Sequence, residues 1–167
     1  MPDDEPSSPV CYANEADAIY MGYAGRDELI AALTELLEAE RAGDRIAHAS
    51  TKDAPDTGYG DLMRAVRGDE AHWCAMLARY LKRLDATVST RCGAFHQKAM
   101  AIADPWERLA FLNRGQQWVV RKLETLMPRV RDDGLYADLR KMRDSHRVNI
   151  TMAEMLLNSP DGPSTPA

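Results

Sequence analysis

Asp27 to His48 reads DELIAALTELLEAERAGDRIAH. Leu29, Leu33, Leu36 and Leu37, then Ile46 and Ala47, recur at the spacing that stacks them on one face of an α-helix. Glu40 falls on that same face, where another Leu is expected. A charge on an apolar stripe is costly unless something meets it, so this residue marks a candidate polar site inside a helical core.

Working outward, the polar stretch STKDAPDTGYG from Ser50 to Gly60 carries Pro and Gly and ends the first helix, at about 27–48. Asp61 is a plausible cap for a second helix over about 61–84, with Met63, Val66, Glu70, Trp73, Leu77, Leu81 and Leu84 on one face. A shorter helix is expected over 90–103. Asp104 and Pro105 then open a third long helix over about 105–127, bearing Leu109, Leu112, Gln116, Val119, Leu123 and Leu126, and Pro128 stops it. After the RVRDDG connection a last helix is expected over 134–157, with Leu135, Leu139, Met142, His146, Ile150, Ala153 and Leu157 facing inward. Each long helix thus has one polar residue near the middle of an apolar stripe. No segment alternates β-branched and aromatic residues between turn dipeptides, so the pattern predicts an all-α antiparallel four-helix bundle.

The bundle is expected over 15–157 as one domain, its first part (15–26) an arm in which Ile19, Tyr20, Met21 and Tyr23 pack before Gly25. Residues 1–14 and 158–167, rich in Pro, Ser and Asp, read as flexible tails. A net charge of -5 argues against non-specific binding to nucleic acid. The N-terminus MPDDEPSSPV has neither the basic nor the apolar part of a signal peptide, and no later apolar run reaches membrane-span length. Cys11, Cys74 and Cys92 are too few and too far apart for a disulfide framework or a zinc knuckle. Together these features predict a cytoplasmic protein without membrane contact.

Helix rise, about 1.5 Å per residue, allows the depths of the inward polar groups to be compared. Glu40 lies as far before the end of the first helix as Glu70 lies beyond the start of the second, so a hairpin brings them to one level. Gln116 and His146 match in the same way across the second hairpin. The link between the hairpins is long and partly helical, enough to cross the length of a bundle.

In this arrangement the chain resembles the ferritin-like superfamily over most of residues 27–157. Active members hold two iron or manganese ions with Glu on the first helix, Glu-x-x-His on the second, Glu on the third and Glu-x-x-His on the fourth. Glu40, Glu70 and His146 match three of those ligands. Trp73, Gln116 and Arg143 stand where the other three would be. The resemblance therefore implies either of two states. In one, Glu40, Glu70 and His146 bind a single ion, with Gln116 or water completing the shell. Such a donor set suits Fe(II), Mn(II) or Zn(II), and metal handling or redox and peroxide chemistry would follow. In the other, the acids pair with Arg143 and protonated His146 beside Trp73, a metal-free network in a bundle that serves protein interaction, assembly or regulation.

Other candidates have simpler readings. Asp69 and His72 sit one step off the Glu70 stripe, at a helix boundary or in solvent. His48 suits the negative end of the first helix. His96 and Cys92 make a sparse pair on the crossover, and Cys74 reads as a small buried hydrophobe. Arg129, Arg131, Arg140, Lys141 and Arg147 tint the last hairpin basic, mostly as a solvated face able to dock an acidic partner. Trp106, Trp118 and the Tyr20 to Tyr23 arm are candidates for a homodimer surface.

Overall fold

In the computed structural model, residues 19–160 are described. The expected tail 1–14 with Cys11, the start of the arm and residues 161–167 lie outside them. Four long helices, α1 (Arg26–Ser50), α2 (Thr57–Arg83), α4 (Pro105–Leu126) and α5 (Asp133–Leu157), form a bundle, with the short α3 (Gly93–Met100) between α2 and α4. A single 3-10 turn, Met127–Arg129, joins α4 to α5. There is no strand among the described residues. No helix there is long and apolar enough to cross a membrane.

The Asp104 carboxylate accepts from Glu107 N at 2.8 Å and Asp132 from Leu135 N at 2.6 Å, fixing the starts of α4 and α5. The start of α2 differs from expectation. Asp56, not Asp61, is its cap, accepting from Tyr59 N at 2.8 Å, so the helix begins at Thr57. Gly58 and Gly60 weaken this first turn by about 1 kcal/mol each relative to Ala. Tyr59 offsets that cost: its ring is fully buried and its hydroxyl donates to Pro105 O at 3.0 Å.

Cross-helix pairs give the topology. Glu28 meets Arg129 and Glu35 meets Lys122, so α1 and α4 run antiparallel. Tyr80 donates to Asp138 at 2.9 Å and Asn149 to Asp69 at 3.0 Å, so α2 and α5 are antiparallel as well. Each hairpin is antiparallel by its short connection, which makes the order up, down, down, up and requires residues 84–104 to travel the length of the bundle. They do so across α1 and α4. At the end of this crossover Arg108, 4% exposed, donates to Ile102 O at 3.0 and 2.9 Å and reaches Asp53 at 3.3 Å in the α1–α2 loop.

The apolar interior has two parts. One is built on Leu33, Leu36, Leu37, Leu77, Leu81, Leu123, Leu135 and Leu139, the other on Ile46, Tyr59, Met63, Leu109, Leu112 and Ala153. Glu40, Glu70, Gln116 and His146 form a polar layer between them. On α5 the inward position is taken by buried Asn149, with Ile150 only half-buried. Trp106 is half-buried and packs edge-on against Tyr59 at 5.4 Å. Trp118 and Tyr20 are exposed.

Candidate metal centre

Glu40, Glu70 and His146 present one ligand atom each, all within 4.8 Å of one another. All three side chains are buried, at 0 to 2% exposure. The equal depths expected from helix rise are therefore realised. That spacing lets one small cation with bonds of about 2.0 to 2.3 Å reach all three after small side-chain movements.

The imidazole is aimed by its own helix. His146 Nδ1 lies 3.0 Å from Met142 O, and a carbonyl can only accept, so Nδ1 carries the hydrogen. In the neutral ring the lone pair is then on Nε2, which faces Glu40 Oε1 at 3.2 Å. A backbone carbonyl that fixes the tautomer in this way also orients metal-binding histidines.

Around this point acceptors outnumber donors. Gln116 Nε2 donates to Glu70 Oε1. Glu40 Oε2 and Gln116 Oε1 are buried with no hydrogen-bond partner among the described residues. A cluster of two carboxyls, an imidazole lone pair and an orphaned amide oxygen is short of positive charge, which protons or a metal cation can supply. Without metal, protons do so: burial pushes the Glu40 carboxyl up to about 8. Burial, then the neighbouring Glu40, raise Glu70 well above the ordinary carboxylate range, while His146 and Gln116 pull the other way.

Two expected members of the network are elsewhere. Arg143 is turned to the water edge and donates to its neighbour Asp144 at 2.9 and 2.8 Å, leaving Glu40 and Glu70 without a guanidinium. Its position is rotated off the Met142 to His146 stripe, and an exposed carboxylate there spares it desolvation. Trp73 is buried in the first apolar cluster and its Nε1 reaches no acceptor among the described residues. It packs as a hydrophobe, with His72 edge-on at 4.5 Å. Asp69 lies at the α2–α5 boundary, accepting from Ser145 and Asn149 at 2.9 and 3.0 Å. Cys92 accepts from Arg45 Nη1 at 3.1 Å. The Cys74 thiol is pushed up to about 12 by burial and the nearby acids, so it stays a thiol. Arg129, Lys141 and Arg147 are tied to Glu28, Asp138 and Glu124.

One residue of the site escaped the sequence reading. A Cβ on Gly43 of α1 would stand 2.7 Å from both Cδ and Oε1 of Glu70, so any other residue would force that buried, hydrogen-bonded carboxyl to shift. Glycine inside a helix ordinarily costs about 0.5 to 1 kcal/mol against alanine. The sign reverses here: Gly43→Ala is expected to destabilise the protein by roughly 1 to 3 kcal/mol in urea titrations. Gly68→Ala on α2, where nothing lies within 4 Å of the new carbon, is expected to stabilise it. A stabilising Gly43→Ala would show that the carboxyl does not need the gap.

A cleft of about 500 Å³ runs between α1, α4 and α3, with Glu40, Glu70 and Gln116 among the residues lining it.

Residues 27–155 match the family model described as Domain of unknown function (DUF6306). No curated protein and no solved structure gives a significant match to the chain.

Proposed function

As the chain belongs to the DUF6306 family, whose description carries no activity, its site must carry the functional reading: we propose that Glu40, Glu70 and His146 bind one Fe(II) or Mn(II) ion within a ferritin-like bundle. The observation that supports this most directly is the convergence of their donor atoms to within 4.8 Å in a buried, donor-poor layer. The up, down, down, up order with a long crossover is the connectivity that ferritin-like bundles share. In this reading Glu40 and Glu70 supply the anionic charge and His146 Nε2 the neutral ligand. Gln116 holds Glu70 in place through its amide nitrogen. When bound, the ion supplies one-electron redox chemistry with open coordination positions, suited to metal handling or to peroxide and oxygen as substrates.

The alternative, a metal-free module, is supported by the pairing of Gln116 with Glu70 and of His146 with Glu40, which needs no cation once the acids are protonated. Elemental analysis separates the two. Protein produced with iron and manganese supplied is expected to carry about one equivalent of metal, and a Glu40→Ala/His146→Ala variant none. Equal, trace metal in both proteins would refute the metal reading and leave the protonated layer.

A further inference from the structure

The cleft is more than an opening onto the acids. Phe95 of α3 and Phe111 of α4 stack at 4.7 Å between centroids and 17° between planes, making one flat apolar wall. That wall depends on Gly115, where a Cβ would come within 2.5 Å of the Phe95 ring. Leu112, Val119 and Ala39 continue the apolar lining. The volume lies within the range of about 300 to 1,000 Å³ that small-molecule sites occupy.

Charge at the lining is unequal. The acids Glu35 and Glu38 are engaged, Glu35 with Lys122 and Glu38 with Ser89 and Arg91. Arg114 and Arg121 also line the cleft, and neither pairs with a carboxylate among the described residues. Arg114 is held over the Phe111 ring at 5.4 Å, a placement that keeps its guanidinium beside the apolar wall. An apolar wall with free guanidinium groups beside it, the acids Glu35 and Glu38 being engaged and Glu40 and Glu70 buried, fits an amphiphilic anion.

We propose that this cleft binds an organic monocarboxylate with an aliphatic or aromatic body, its carboxylate on Arg114 and Arg121 and its apolar body against the Phe95 and Phe111 wall. That such a molecule is also a substrate rests on the metal reading above; its binding does not.

Calorimetric titration of the metal-free protein with octanoate tests the binding alone, with 1-octanol and acetate as the body and the head taken separately. Octanoate is expected to bind, and acetate not. Octanol, and octanoate with an Arg114→Gln/Arg121→Gln variant, are expected to bind at least tenfold more weakly. Ala39→Phe, which fills the cleft, is expected to abolish octanoate binding. Failure of octanoate to bind the wild type would overturn the proposal. So would equal affinity for octanol, an unchanged affinity in the arginine variant, or full binding by a folded Ala39→Phe protein. If Ala39→Phe does not fold, the arginine variant decides. Because no metal is present, a negative result here leaves the metal count untouched, and a metal-free protein can still give a positive one.

Discussion

Metal-free protein is expected to lose stability as pH rises between 4.5 and about 8, the reverse of what paired surface carboxylates produce. The ordinary value for Glu40 is 4.5, and in the folded chain its carboxyl is raised to about 8. Within that window the native state holds a proton that the unfolded state has released. Its contribution is fully present below 4.5 and is lost as pH climbs through the raised value, at up to about 1.4 kcal/mol per pH unit for one proton. Glu70, raised by burial and by Glu40, adds with the same sign. The measurement is urea unfolding across the window, read as the difference between wild type and Glu40→Gln, so that surface pairs common to both cancel. Wild type is expected to fall relative to the variant as pH increases. Saturating Mn(II) should remove the fall, because binding the ion displaces the same protons and grows about tenfold tighter per pH unit for each. A difference curve that is flat or rises would mean that the acids are already ionised in the fold.

Arg108→Ala is expected to destabilise the protein by roughly 2 to 4 kcal/mol, a loss comparable to truncating a buried leucine. The guanidinium is 4% exposed and bonds Ile102 O with two nitrogens, Ala103 O at 3.4 Å and Asp53 at 3.3 Å. Removing it leaves carbonyls without a donor where the crossover turns into α4, and releases that turn from the α1–α2 loop. Arg108→Lys should recover only part of the loss, since one ammonium cannot reproduce the planar fork. Asp53→Asn should cost under about 1 kcal/mol, its side chain being 58% exposed. Chemical denaturation of the three variants checks the order. An Arg108→Ala protein as stable as Asp53→Asn would show that the clamp holds nothing.

Regular helix geometry explains what could be read from the chain. Glu40, Glu70 and His146 converge, with Gln116 on Glu70, because apolar stripes fix which way each helix faces and rise fixes depth. Where a side chain's fate depended on finer rotation, the reading failed. The Glu-x-x-His spacing places Arg143 inward, yet the inward stripe passes through Met142 and His146, and Arg143 falls at its edge beside Asp144. Gly43 in isolation reads only as a weak helix former; that it faces the tip of Glu70 is visible only once two helices are packed. Arg108, one turn after an N-cap, looks like a solvated cation until the crossover folds over it. The cleft was illegible for a similar reason, since it exists only where α3 settles beside α1 and α4. Gly58 and Gly60 favour a break that makes Asp61 the cap in place of Asp56, while the burial of Tyr59 that sustains the turn is a tertiary contact.

The two apolar clusters on either side of the polar layer look like separable halves, but the chain does not divide that way. Every long helix contributes to both, α1 through Leu36 and Ile46, α2 through Leu77 and Met63, α4 through Leu123 and Leu109, α5 through Leu139 and Ala153. Melting either cluster would leave half-helices of about a dozen residues, too short to persist in water unaided. The molecule is thus four tie rods bolted at both ends. It must come apart in one cooperative step, and its polar waist is a joint under load from both sides, not a seam along which it can open.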